Sequence, residues 1–190
     1  MVWLVIGVLV WAFAHGFKRL IPGARGALDQ RLGESKARGV VASSLFLSVA
    51  LMIVGYRSAA FYPVYSPLPG IGHLNNLLML FAVMLMGAGS SRGRIRSLLR
   101  HPMLTGVAVW GVAHLLVNGD LASVILFGSM VVWALAEMVL INRAEPDWQR
   151  PAPGPVSGDI RLVIISLVIY GIFAGVHIFL GHNPFLGTYG

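Results

Sequence analysis

Cysteine is absent from the 190 residues of this chain, and charged side chains make up only 11% of them. Without cysteine the chain cannot form a disulfide, a catalytic thiolate, an iron–sulfur cluster or a thiolate-bound zinc site. A metal ion would therefore be held by histidine, methionine or carboxylate side chains. Only 7 residues are acidic, so the 6 histidines are the most informative residues for any metal or cofactor.

Apolar residues are in excess, at 57% of the sequence, compared with about 45–50% in a typical soluble domain. The mean hydropathy is +0.79. This composition excludes an ordinary soluble domain and predicts an integral membrane protein. The net charge of +7 would suggest nucleic acid as a partner of a soluble protein. Because the basic residues lie between the apolar stretches, membrane lipid is the expected partner, and nucleic acid is not.

Six apolar stretches predict an all-α, polytopic bundle of about six transmembrane helices. They are Val2–Phe17, Gly39–Gly55, Leu74–Gly89, Met103–Val117, Leu121–Ile141 and Leu162–Leu180. A helix needs about 20 residues to span the hydrocarbon layer, so flanking residues must complete the shorter stretches. No repeat or change of composition marks a second domain, which predicts a single transmembrane domain over residues 1–190.

The loops predict the orientation of the bundle. Of the 14 basic residues, all except Arg57 lie in or beside the first, third and fifth loops. Because cytoplasmic loops carry the excess of Lys and Arg, both termini are expected on the non-cytoplasmic side. Lys18 and Arg19 follow the first stretch, the reverse of a cleavable signal peptide, so this stretch is expected to remain as a helix. The proline-rich segment 145–155 is expected to be extended.

Few ionisable residues lie within the apolar stretches, and such residues are costly in a bilayer and are frequently functional. They are His15, His114, His177 and Glu137, with His73 near the start of another stretch. Neutral imidazoles from different helices of a bundle could bind the two faces of a haem. Alternatively, each imidazole donates to a backbone carbonyl or lies among lipid head groups. Glu137 either handles protons or contacts a cofactor, or its carboxylate is paired within the bundle.

The segment Arg100-His101-Pro102 is typical of a helix start, because proline is favoured in the first turn. A helix N-terminus attracts anions. Arg100 and His101 would therefore suit a phosphate, a carboxylate or a haem propionate. The alternative is a simple helix cap at the cytoplasmic interface.

Several motifs along the chain form a recognisable combination. They are Ala14-His-Gly-Phe, Arg100-His-Pro-Met-Leu-Thr-Gly, Trp110-Gly-Val-Ala-His-Leu-Leu, Asn118-Gly-Asp and Val176-His-Ile-Phe-Leu-Gly. Together they resemble the NnrU family of bacterial membrane proteins over essentially the whole chain. Arg-His-Pro alone also occurs in membrane methyltransferases, but no Arg/Glu-rich segment for adenosylmethionine follows it here.

The resemblance implies a haem-b-binding protein of the bacterial inner (cytoplasmic) membrane that is associated with nitrite and nitric oxide metabolism in denitrification. Its iron would sense or handle a small ligand such as nitric oxide, or act as a redox-gated catalyst. The resemblance also implies a relationship to 15-cis-zeta-carotene isomerase, a haem protein. Haem-dependent cis–trans isomerisation of a carotenoid or other polyprenyl lipid is therefore an alternative. A non-catalytic assembly or regulatory factor for nitrogen-oxide enzymes is another.

The resemblance further implies that His15 and His114 are the axial ligands of the haem iron. Arg100, His101 and Trp110 are further candidates for cofactor binding. Glu137 is a possible proton-transfer group or supporting residue. The resemblance also shows two departures from the related isomerases. Their cysteine is replaced by Gly111, and a histidine pair of theirs falls at Trp133-Ala134.

Depth along the helices favours a different pairing of histidines. His15 lies near the expected cytoplasmic end of its helix, whereas His114 lies about 20 Å along its own. Two ligands of one iron should lie at similar depth. This argument favours His177 or His73 as the partner of His114, and leaves His15 to pair with His101.

Overall fold

Helices account for all the regular secondary structure within residues 1–186, which are the residues that the computed structural model describes. They are α1 (Val2–Leu20), α2 (Pro22–Leu32), α3 (Glu34–Arg57), α4 (Gly72–Ala88), α5 (Pro102–Val117), α6 (Leu121–Ala144) and α7 (Val156–Phe179). One 3-10 turn, Ile95–Ser97, precedes α5. The predicted all-α class is confirmed, and residues 187–190 of the predicted domain lie outside the described residues.

Four helices in this part of the chain are long and apolar enough to cross a membrane, namely α1, α3, α6 and α7. The chain is therefore a multi-pass membrane protein. The helices α4 and α5 are also apolar, but they have only 17 and 16 residues. Each is thus about 25 Å long, somewhat shorter than the hydrocarbon layer. Six spans with both termini on the non-cytoplasmic side remain a prediction.

The first basic loop contains a helix, α2, that the apolar pattern does not reveal. Pro22 occupies its first turn, where the fixed φ of proline suits a helix. Arg25 and Asp29 form an ion pair one turn apart, with 3.1 Å between nitrogen and oxygen. Gly33, with a positive φ of 78°, turns the chain from α2 into α3. The proline-rich segment 145–155 contains no helix, as predicted.

The helices pack as two antiparallel pairs that α6 connects. α1 packs along α3, α4 packs along α5, and α6 contacts both α1 and α5, while α7 packs against α4. Consequently α1, α4 and α6 end where α3, α5 and α7 begin. We call this the basic end of the bundle, because residues 18–38, 89–101 and 143–161 at this end include every Lys and Arg except Arg57.

Glycine lets α1 and α3 approach each other closely. A Cβ atom on Gly55 would lie 2.1 Å from the backbone nitrogen of Leu4, and one on Gly7 would lie 2.8 Å from the backbone nitrogen of Met52. Small residues at such contacts are common in membrane proteins, where lipid tails are as apolar as the helices and close packing drives helix association. The contact buries Leu4 completely.

The turn between α5 and α6 is held by the connection between α3 and α4. The Tyr65 amide donates to the carbonyl of Gly119 at 3.1 Å, and the Tyr65 hydroxyl donates to the carbonyl of Asn118 at 2.8 Å. A Cβ atom on Gly119 would lie 1.9 Å from the Tyr65 carbonyl oxygen, so this position requires glycine. Burial raises the pKa of Tyr65, and the Asp120 carboxylate adds to this effect.

Replacing Gly55 with alanine is expected to lower the free energy of unfolding by about 1–3 kcal/mol, because the methyl group would collide with the Leu4 backbone. Gly39→Ala on the same helix is the matched control, since no atom lies within 4 Å of a Cβ at that position. The control should match or exceed wild-type stability, because alanine in a helix is more favourable than glycine by up to about 1 kcal/mol. Thermal unfolding in detergent measures both variants, and equal effects would contradict the close contact.

Candidate functional site

His114 lies near the end of α5, against an aromatic wall. Its ring stacks on Phe127, with centroids 4.4 Å apart and 22° between the planes, and its centroid lies 5.1 Å from that of Trp110. Phe127 is buried in a π-helical segment of α6, Val124–Gly128. Such segments within α-helices are frequent at functional sites. No motif marks Phe127 among the nine phenylalanines, so only the structure identifies it.

This π-helical segment approaches α5 closely because α5 has glycine at position 111. A Cβ atom there would lie 2.9 Å from the Phe127 carbonyl oxygen and 2.6 Å from Cγ2 of Val131. A larger side chain would not fit at this position without a shift of α5 or α6. Glycine at position 111 is therefore coupled to the packing that places Phe127 against His114.

His177 on α7 is the histidine that the structure brings to His114. The centroids of the two imidazoles are 6.4 Å apart, with 46° between the rings. Nδ1 of His114 donates to the carbonyl of Trp110 at 2.9 Å, and Nδ1 of His177 donates to the carbonyl of Phe173 at 2.7 Å. Because a carbonyl can only accept, each Nδ1 carries a proton, which leaves the Nε2 lone pair of a neutral ring for a metal.

His15 lies in a separate aromatic cluster, nearer the basic end. Its ring centroid is 4.3 Å from that of Trp11 and 4.8 Å from that of Trp133. Its Nδ1 donates to the Trp11 carbonyl at 3.1 Å. Trp133 follows Phe127 by six residues of α6, or about 9 Å. His15 and His114 therefore lie at different depths, and the structure does not bring them together.

The remaining histidine proposed as an alternative ligand, His73, is exposed at the start of α4, at the same end of the bundle as His177. Within residues 1–186, no three His, Asp or Glu side chains are grouped to hold a metal ion. A haem iron needs only one or two axial side chains, so a histidine pair fits this cofactor. Binding of iron by any histidine pair remains a prediction.

Arg100 and His101 attach the start of α5 to the end of α6. The Arg100 guanidinium donates to the carbonyl of Glu145, the residue that follows α6. Nε2 of His101 lies 2.8 Å from Oδ1 of Asn142. A guanidinium at a helix C-terminus satisfies free carbonyls and complements the helix dipole. Neither side chain caps the start of α5 itself, and both contact the end of α6, at the other end of α5 from His114.

Glu137 is buried and forms an ion pair with Arg19, at the end of α1. The structure therefore shows the alternative in which this carboxylate is paired within the bundle. The sequence presents Arg19 only as one of the loop cations. The pairing of Arg19 with Glu137 could have been inferred from their depth in the bundle, since both residues lie within about two turns of the ends of their helices at the basic end.

An apolar groove of about 630 Å³ lies between α1 and α6, beside this ion pair. Its walls include Trp11, Trp133 and Met130, and Glu137 lies toward the basic end. Nε1 of both tryptophans is buried without a hydrogen-bond partner. Ligand sites are typically apolar cavities of about 300–1,000 Å³ with a few polar groups. The groove has the volume and lining for a lipid-like molecule.

These features define the class as an all-helical, multi-pass membrane protein whose intramembrane histidines pack against aromatic rings. The chain belongs to the NnrU protein family, whose sequence profile matches residues 3–184. The predicted family is thus confirmed over nearly the whole chain. The comparisons with curated proteins and with solved structures gave no match.

Glu137→Gln is expected to lower the free energy of unfolding by about 1–3 kcal/mol, because it leaves the half-buried Arg19 guanidinium without its charged partner. Arg38→Gln is the control, since it removes an ion pair with Glu34 in which both side chains are exposed. That pair should contribute at most about 1 kcal/mol. Thermal unfolding in detergent compares the two, and a larger loss in the control would contradict the importance of the buried pair.

Proposed function

We propose that this protein binds haem b in a bacterial cytoplasmic membrane, with His114 and His177 as the axial ligands. The observation that supports this most is the approach of the two imidazoles to 6.4 Å between centroids. With metal–nitrogen distances of about 2 Å, two imidazoles on one iron have centroids roughly 6 Å apart. Both Nδ1 atoms are already engaged by backbone carbonyls, which supports Nε2 as the ligating atom.

The surroundings of His114 suit such a cofactor. Phe127 and Trp110 pack against the His114 ring. Apolar surroundings of this kind are one of the factors that set the reduction potential of a haem. Bound haem would supply an iron that exchanges one electron, or that binds a small ligand such as nitric oxide in place of one of the two histidines, in keeping with the association of the family with nitrogen-oxide metabolism.

The proposal includes six membrane-spanning helices. The short helices α4 and α5 support it because they pack along each other and against the longer α6 and α7. The arginine-rich segments of the basic end would then face the cytoplasm. His114 and His177 would lie toward the non-cytoplasmic side, where a small molecule from that side could reach them.

Absorption spectra of detergent-purified protein, oxidised and reduced, test the haem proposal. Wild-type protein expressed with ample haem should show a Soret band, because both ligands are in place. His114→Ala and His177→Ala should each weaken or shift this band, whereas His15→Ala, a matched intramembrane substitution, should leave it unchanged.

Two results would contradict this assignment. A colourless wild-type preparation would refute haem binding. A spectrum that is lost in His15→Ala and kept in His177→Ala would instead make His15 the second ligand, as the family resemblance implies.

A second candidate function is haem-dependent cis–trans isomerisation of a carotenoid or other polyprenyl lipid. The observation that favours it is the groove between α1 and α6, which is apolar and large enough for part of such a chain. The groove contacts Trp11 and Trp133, the residues that pack on His15, so this candidate requires the haem at His15 and not at the His114–His177 pair.

Ala136→Phe tests the isomerase function, because Ala136 lines the groove and a phenyl ring would obstruct it. Leu135→Phe is the control, since Leu135 is exposed on the same helix and does not line the groove. Cells that make a cis-polyene should convert it with wild-type and control protein, and at least tenfold less with Ala136→Phe, as read by chromatography. Absence of conversion with wild-type protein would refute this candidate.

A further inference from the structure

A second apolar cavity, of about 440 Å³, lies between α1, α2 and α3, away from the histidines. Its α1 wall extends from Leu9 to Phe17, about 12 Å along the helix. Leu28 of α2 and Val41 of α3 close the other sides. The Ser44 hydroxyl in the wall already donates to the carbonyl of Val40, at 2.9 Å. The cavity therefore suits a hydrocarbon chain.

Arg25 lies one turn before Leu28 on the same face of α2, as the three-residue spacing requires. Its side chain is 14% exposed, and Nη1 is buried without a hydrogen-bond partner. Oδ1 of Asp29 lies 3.1 Å from Nη2, but this ion pair does not have hydrogen-bond geometry. A buried guanidinium N–H without an acceptor is costly. A movement of the Arg25 side chain that brings Nη1 to an anionic acceptor would remove this cost.

The charge around α2 favours an anion. Residues 18–38 contain six basic residues and only two acidic ones, Asp29 and Glu34. α2 buries none of its residues, and it connects the ends of two helices that are long enough to span a membrane. It therefore lies at the membrane surface, where basic segments attract anionic lipid head groups.

We propose that α1, α2 and α3 bind one anionic phospholipid at the basic end, with an acyl chain in the cavity and the phosphate beside Arg25. A free anion would use Arg25 but leave the cavity empty, and a neutral lipid would fill the cavity but leave Nη1 without an acceptor. Only an anionic lipid uses both features. The site shares no residue with the His114–His177 pair and does not depend on haem.

Native mass spectrometry of the full-length protein tests the site, after incubation with phosphatidylglycerol or phosphatidylcholine of identical acyl chains. Wild-type protein should retain one phosphatidylglycerol at least fivefold more often than one phosphatidylcholine. Arg25→Gln should reduce the ratio of retained phosphatidylglycerol to retained phosphatidylcholine to about one. Arg31→Gln, which removes the same charge from an exposed position of α2, should keep it.

A second variant tests the acyl-chain cavity without changing charge. Val41→Phe should narrow the cavity and reduce retention of both lipids, whereas Val49→Phe, at an exposed position of α3 outside the cavity, should not. This comparison keeps the proposal testable if Arg25→Gln fails to fold.

Three results would overturn the proposal. The first is equal retention of the two lipids by wild-type protein, and the second is an equal effect of Arg25→Gln and Arg31→Gln, which would indicate general surface attraction. The third is displacement of the phosphatidylglycerol by millimolar inorganic phosphate alone, which would indicate a site for a free anion.

Discussion

Close backbone contact at glycine is the constraint on which this bundle depends. In a bilayer the hydrophobic effect does not draw apolar helices together, so they must gain from tight packing. Gly7 and Gly55 bring α1 against α3, and Gly106 brings α5 so near to α4 that a Cβ atom would lie 2.8 Å from the Ala82 carbonyl oxygen. Gly111 does the same between α5 and α6. The aromatic wall against His114 exists because of this last contact.

Much of the fold can be predicted from the sequence, for reasons that particular elements illustrate. The apolar stretches are long and uninterrupted, so their helices follow from composition alone. The helix α2 could not be found in this way, because it is polar and none of its residues is fully buried. The π-helical segment around Phe127 also escapes prediction, since its hydrogen-bond pattern depends on how α6 meets α5 and not on any local motif.

The candidate site was predictable only in part. Scarcity of polar groups within the helices singles out His15, His114, His177 and Glu137, because each is costly in a bilayer. Which of them meet depends on helix packing, which the sequence does not contain. His177 approaches His114 because α4 contacts both α5 and α7. Similarly, Arg100 faces the Glu145 carbonyl because α5 starts where α6 ends.

The π-helical segment of α6 has a geometric consequence for the whole molecule. Five residues there are wound more loosely than in an α-helix. As a result, every residue that follows is rotated about the helix axis by up to about 100°, the rotation of one residue, relative to its position in a continuous α-helix. Before and within this segment, α6 turns Phe127 toward α5. Beyond it, Val131 still faces Gly111 of α5, whereas Trp133 and Glu137 face α1. One helix thus serves as a wall for two different compartments, because different faces of it contact α5 and α1.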